Sequence, residues 1–197
     1  MKYKLGIGIG YYKQNRIVET CFRYLMEILE LELKDVDGVH LLVYQNEVGL
    51  AKARNKLLEE LIKDCEYITF IDADDRIAPD YIEKILEAIK TKAPIYQTDF
   101  YILEDLHRDT ELKNRNTGVI YRNDIIKNVR YNESRNYGED KEFNDNLRDY
   151  PVELIDTYYY YNYGINPDCM TYKYSRGEIK EFKYEINDDF NKLKEVM

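Results

Sequence analysis

Tyr67-Ile68-Thr69-Phe70-Ile71-Asp72-Ala73-Asp74-Asp75 carries an apolar, β-prone stretch straight into three carboxylates within four residues. Like charges that close repel one another, and burial raises the cost. A cation that neutralises them is the usual reason for such a cluster at a strand end. In an open α/β sheet, ligands sit outside the carboxyl ends of the strands. Mg²⁺ and Mn²⁺ take carboxylate oxygens and commonly bridge one or two of them to a diphosphate. The alternative is a solvated turn whose aspartates cap a helix starting near Pro79. Well downstream, Gly138-Glu139-Asp140 offers a second acidic pair, suited to a general base or to capping a helix from Glu139.

Working outward, the first half alternates strand and helix patterns. Lys4 to Gly10 sets Leu5, Ile7 and Ile9 among small residues and predicts a first strand. Arg16 to Leu33 has helical apolar spacing, Val39 to Tyr44 reads as a buried parallel strand, and Gly49 to Lys63 is helical with Leu50, Ala53, Leu57, Leu58 and Leu61 on one stripe. Glu66 to Ile71 is the third strand, and Pro79 fits the first turn of a helix through about Lys90. This alternation implies an α/β fold with a parallel sheet. The second half changes character. Pro94 to Leu103 and Thr117 to Arg122 predict strands around a polar loop, Glu104 to Asn116. Glu139 to Arg148 predicts a short helix, Val152 to Tyr163 one or two strands, and Glu185 to Met197 a terminal helix.

The chain has 197 residues and a formal net charge of −9. That length suits one domain with a real core. The acidic balance argues against nucleic acid or an anionic membrane as the main partner. Cys21, Cys65 and Cys169 share no C-x-x-C spacing and read as reduced, as in a cytoplasmic protein. No stretch approaches the ~18 apolar residues of a membrane span, so no stable membrane insertion is expected. The 21 tyrosines fit an AT-rich genome and carry little functional weight.

Two other metal readings of the cluster fail on detail. An EF-hand loop from Asp72 would put Arg76 at a ligand position and Ile77 where glycine is required. An aspartate-nucleophile phosphatase also carries Asp-x-Asp after a strand, but on its first strand and followed by a small residue and Thr rather than Asp75-Arg76. His40 and His107 have no metal-like spacing.

Gly49-Leu50-Ala51-Lys52-Ala53-Arg54-Asn55, the Tyr67 to Asp75 block and Ala78-Pro79-Asp80-Tyr81-Ile82 resemble the family 2 glycosyltransferases of the GT-A fold. Thr117 to Arg122 resembles the family's acceptor-side strand, Tyr137 to Phe143 its late acidic motif, and Tyr159 to Tyr163 followed by Met170-Thr171 its closing strand and loop. Order and spacing agree over roughly residues 3 to 172. The implied fold is a single GT-A domain over 1–197: a Rossmann-like, mostly parallel central sheet flanked by helices, with a mixed acceptor-side half. Residues 1–92 would form the nucleotide-sugar half, 93–175 the acceptor half and 176–197 a tail or helix.

The resemblance implies a metal-dependent inverting transferase using a nucleotide-sugar, a UDP-sugar first of all. Asp72 and Ala73 would touch the donor. Asp74, with Asp75 as the competing choice and Asp72 through water, would hold Mn²⁺ or Mg²⁺. Asp140 would be the general base, with Glu139 the alternative. Arg54 would contact the diphosphate or nucleobase, unless it is an exposed helix arginine. Tyr11 and Tyr12 follow the first strand, where the family lines the nucleotide pocket; a tyrosine there would stack on the base or pack into the core. The family usually closes its second strand with an acid before a Gly-Ser turn; here Gln45-Asn46-Glu47-Val48 runs directly into Gly49, and Gln45, Asn46 or Glu47 would take over base recognition. Asn162 stands where arginine is common. A metal-dependent nucleotidyltransferase, or a catalytically silent binding module of GT-A shape, would use much of the same layout. The acceptor stays open among glycans, lipid-linked glycans, protein side chains and modified DNA bases.

Overall fold

A computed structural model of the chain describes residues 1–12, 16–45, 49–102, 107–108, 117–135, 138–161 and 192–196. Strand β1 (Tyr3–Tyr11) lies in the middle of the parallel layer. Its Leu5, Ile7 and Ile9 are fully buried on one face. Its glycines face the other way, and they are small for a reason: a Cβ on Gly6 would stand 2.8 Å from Cys65 Sγ and 2.9 Å from Leu61 Cδ2. Helix α2 (Leu50–Asp64) can therefore sit close against that face. Helix α1 (Arg16–Leu33) buries Val18, Cys21, Leu25 and Leu29, the stripe its spacing predicts.

Strands β2 (Val39–Gln45) and β3 (Cys65–Asp72) both run parallel to β1. Gly10 is level with Tyr44 on one side and Asp72 on the other, and Tyr11 is level with Gln45. The carboxyl ends of all three strands thus end in one row. The remaining elements are β4 (Arg76–Ile77), α3 (Tyr81–Ala88) with a 3₁₀ turn over Ile89–Thr91, β5 (Ile95–Ile102), β6 (His107–Arg108), β7 (Val119–Arg122), α4 (Asn123–Ile126), α5 (Glu139–Asp145), β8 (Val152–Tyr161) and β9 (Lys192–Val196). Among the described residues the sheet order is β4-β8-β5-β7-β3-β1-β2-β9, with β6 attached to β5. Strand β7 is antiparallel to both β3 and β5, and β5 pairs in parallel with β8. The result is the expected architecture, a parallel first half continued by a mixed second half.

Each face of the sheet has its own core. Leu25, Leu29, Ile82 and Ile85 from α1 and α3 pack on Ile7, Ile9 and Ile71. On the other face Leu57, Leu58 and Leu61 of α2 pack with Ile68, Phe70, Tyr131 and Phe143. Burying such a side chain fully contributes about 1.5–3 kcal/mol.

The structure differs from the sequence reading at several points. The terminal helix expected over Glu185 to Met197 is replaced, where described, by β9, antiparallel to β2. Leu41 to Tyr44 are buried, so β2 lies inside the protein and its outer row of backbone N–H and C=O groups needs partners. Within the expected loop Glu104 to Asn116, His107 and Arg108 pair with Tyr101 and Ile102; the rest lies outside the described residues. The helix after Pro79 begins at Tyr81. Of the one or two strands expected over Val152 to Tyr163, the structure has one, Val152–Tyr161. Helix α4 was not expected; it spans four residues, too few for a readable period.

Candidate active site

The carboxylate cluster leaves the carboxyl end of β3 in a tight turn, with Asp75 N–H donating to the Asp72 carbonyl at 3.0 Å. The turn separates its three acids. Asp72 is 22% exposed in its side chain, and Asp74 is partly exposed. Asp75 is fully buried and accepts a hydrogen bond from the Tyr159 hydroxyl at 2.7 Å. That hydroxyl also accepts from the Asp72 backbone N–H at 3.0 Å. Burial pushes the Tyr159 phenol well above its ordinary pKa, and Asp75 and Asp72 push it further, so the hydroxyl keeps its proton and donates. Ala73 is buried.

These aspartates do not cap α3. Its N-cap position is Asp80, which makes no capping bond and instead accepts from Thr157 Oγ1 at 2.9 Å. The Ile82 N–H at this helix start donates to Glu32 Oε2 of α1 at 2.9 Å. Helix α5 has Gly138 at its N-cap position and no side-chain capping bond there, and Glu139 and Asp140 stand in its first turn.

Arg54 lies one turn into α2 and is 2% exposed. One guanidinium nitrogen donates to Asp72 Oδ1 at 3.0 Å and to Oδ2 at 3.3 Å; the other ion-pairs with Asp140 Oδ1 and stands 3.6 Å from Glu139 Oε1. Its carbon centre is also 5.6 Å from the centroid of the Tyr131 ring. Burial opposes the charge on Arg54, but Asp140, Asp72 and Glu139 together more than reverse this, and its pKa is raised well above the ordinary value. The sequence reading gave Arg54 a donor contact or an exposed helix position. The structure shows it buried among carboxylates.

Several packed contacts fix α5, which carries Asp140. Phe143 stacks on Tyr131 with centroids 4.2 Å apart and meets Tyr121 edge-on at 5.6 Å. The Tyr121 hydroxyl donates to Asn144 Oδ1 at 2.8 Å. Asn55, next to Arg54, holds the preceding segment from both sides: its Nδ2 donates to the Tyr131 carbonyl at 3.0 Å, and its Oδ1 accepts from Tyr131 N–H at 2.8 Å. Asp140 is 24% exposed. Burial raises its pKa to about 7; Arg54 pulls it down, and Glu139 and Asp72 push it up.

Of the remaining expected site residues, Gln45 is exposed at the end of β2 and Tyr12 is 44% exposed just beyond β1. Tyr11 stacks on Phe22 of α1, centroids 4.1 Å apart. Asn46, Glu47, Tyr137, Asn162 and Met170 lie outside the described residues. His40 sits at the start of β2, beside Tyr3 and Cys65, away from the row of strand ends. Asn55 and Glu32 are structural partners that the sequence reading missed; Tyr159 was read as part of the closing strand, but its bonds to the acidic turn were not expected.

The donor atoms at the turn are carboxylate oxygens, which suit Mg²⁺ or Mn²⁺. No group of three His, Cys, Asp or Glu side chains converges on one point among the described residues. A cation shared between one or two carboxylates and a diphosphate requires no such cage.

The fold and the acidic turn agree with the sequence comparison: residues 25–153 match glycosyl transferase family 2, and the chain belongs to that family. The matched span contains Arg54, Asp72 to Asp75, Glu139 and Asp140. Solved structures of S. aureus TarS share the fold. One has a TM-score of 0.60 at 16% identity and covers 84% of this chain and 37% of that one. TarS 1-349 in complex with UDP-GlcNAc gives 0.62 at 16% identity, covering 83% and 59%. The same fragment in complex with UDP gives 0.61 at 16%, covering 83% and 61%. This chain therefore spans less than two thirds of each of those proteins. No curated protein matches it. Among the described residues no helix is long and apolar enough to cross a membrane.

Proposed function

We propose that this chain is a cation-dependent, inverting glycosyltransferase that moves a sugar from a nucleotide-sugar, a UDP-sugar first of all, to an acceptor hydroxyl. The observation that carries the reading is the shared guanidinium. Arg54 binds both Asp72, at the end of β3, and Asp140, which lies 86 residues from Arg54 in the chain. The proposed donor-side aspartate and the proposed base are therefore joined by a single side chain. Family membership and likeness to TarS, crystallised with UDP and UDP-GlcNAc, support the choice of donor.

Asp72 and Asp74 flank the place for the donor's diphosphate. When bound there through Asp74, Mn²⁺ or Mg²⁺ supplies charge neutralisation to the leaving phosphate. Asp75, buried against Tyr159, supports the turn from behind. Asp140 accepts the proton of the acceptor hydroxyl as that oxygen bonds to the anomeric carbon. The bond from that carbon to the diphosphate oxygen breaks, and its electron pair leaves with the nucleotide. Attack opposite the leaving group inverts the centre. A carboxylate with a pKa of about 7 serves as base near neutral pH, because enough of it is ionised while it still holds a proton well. Gln45 and Tyr12 would meet the nucleobase, a reading their exposure at the strand ends supports, and Tyr11 stacks on Phe22 behind that edge.

Calorimetric titration with UDP, with and without Mn²⁺ or Mg²⁺, tests the donor side. Binding that needs the cation is expected. Absence of UDP binding under every cation condition contradicts the reading.

A further inference from the structure

Tyr159 is a buried residue whose hydroxyl touches both ends of the acidic turn. It lies on β8, level with Ile77 of β4 and Phe100 of β5. Its ring is fully buried, so the hydroxyl has no rotational alternative in water. The seat is built around it. Gly118 adopts φ +73°, and a Cβ there would stand 2.8 Å from Thr98 Oγ1 and 3.2 Å from Tyr159 Cβ. A side chain at position 118 would force Thr98 to shift and press on Tyr159, and the positive φ strains any residue but glycine there.

The hydroxyl uses both of its capacities on the turn. It donates to Asp75 Oδ2 at 2.7 Å and accepts from Asp72 N–H at 3.0 Å. The turn's own bond, Asp75 N–H to the Asp72 carbonyl at 3.0 Å, lies between these two contacts. Asp72 and Asp75 are thus pinned from β8, and Asp74 is held on the segment between them. The Ala78 N–H bond to the Tyr158 carbonyl, at 3.0 Å, ties the chain beyond the turn to the same strand.

We propose that Tyr159 is a positioning residue for cation binding: through Asp75 and the Asp72 backbone it holds the turn so that the Asp74 carboxylate is set for the cation. This rests on the reading of Asp74 as the cation's ligand. Asp75 then acts through its bond to Tyr159. A consequence is that the closing strand β8 and the end of β3 share a polar contact.

The test is calorimetric titration of Mn²⁺ in the presence of saturating UDP, on wild type, Tyr159→Phe, Asp75→Asn and the Tyr159→Phe/Asp75→Asn double variant, with a thermal melt of each. Losing a hydrogen bond to a charged group predicts that Tyr159→Phe binds Mn²⁺ about tenfold or more weakly while still melting cooperatively. Asp75→Asn retains an acceptor for the hydroxyl but loses the charge assistance, so a smaller fall of about threefold is expected. In the double variant the Asn substitution costs little further, because the bond it weakens is already gone. Wild-type affinity in Tyr159→Phe overturns the proposal. So does a tenfold or larger loss in Asp75→Asn that persists undiminished in the Phe background, since Asp75 would then hold the ion itself. If Tyr159→Phe fails to melt cooperatively, Asp75→Asn alone decides between a small and a large loss. Failure of wild type to bind Mn²⁺ with UDP overturns the underlying reading of Asp74 instead, so the two failures are told apart.

Discussion

At the scale of the residue, Arg54 decides most. A single buried guanidinium faces Asp72, Glu139 and Asp140, so its removal leaves three acids crowded with no counter-charge. Breaking a buried ion pair from one side costs about 3–5 kcal/mol. Arg54→Met fills similar space without the charge and is expected to lower unfolding free energy by about 3 kcal/mol in urea titration. Arg54→Lys restores the charge but cannot reach two carboxylates with a planar fork, so it should recover only part of the loss. A loss under about 1 kcal/mol, as for an exposed ion pair, would count against the network. Arg54's burial had a sequence signal. It lies on the same α2 stripe as Leu57, Leu58 and Leu61, at offsets of three, four and seven. A charged residue on an apolar stripe implies a buried partner, although the stripe cannot say which acid supplies it.

At the scale of the element, α3 is capped by a side chain from another helix. Glu32 of α1 accepts from Ile82 N–H, and it lines a cavity of about 450 Å³ with Lys4, Asp37, Glu83 and Lys90. Burial raises the Glu32 pKa to about 7; the Ile82 bond lowers it, and Asp80 and Glu83 raise it. A carboxyl raised in the folded state binds an extra proton there between its unfolded value, near 4.5, and about 7. Its contribution to stability is therefore complete below the lower value and is lost as pH rises through the upper one. Glu32→Gln keeps an acceptor for Ile82 and removes the ionisation. Melting temperatures at pH 5 and pH 8 should show the variant gaining on wild type at the higher pH; an unchanged gap would contradict the cap's titration. The helices and the three parallel strands were legible because apolar period and length agree there. Strand β8 was legible as a strand, but tyrosines on both of its faces hid which one, Tyr159, points at the acidic turn. Strand β9 was not legible: Lys192-Leu193-Lys194-Glu195-Val196 is rich in helix formers, and the open edge of β2 overrides that local preference.

At the scale of the whole molecule, the two halves meet where β3 ends. The parallel half brings Tyr11, Gln45 and Asp72 to one row, and the mixed half supplies Tyr159 from β8 and Asp140 from α5. The order of motifs in the sequence was enough to expect the fold and the acidic turn. It could not show that one arginine joins Asp72 to Asp140, because that contact depends on how α2 and α5 pack across the sheet. Asn46, Glu47 and Val48, where base recognition was expected to depart from the family, lie outside the described residues. The central claim is that Asp140 is the base of a sugar transfer. The direct measurement is the pH dependence of kcat/KM for UDP-sugar turnover, to acceptor or to water, in wild type and Asp140→Asn. A base must be ionised, so the wild-type rate should rise with pH and level off above about 7. Asp140→Asn should retain UDP binding, lose about 10²–10⁴-fold in rate and lose that limb. Wild-type turnover in Asp140→Asn, with the same pH profile, would contradict the account.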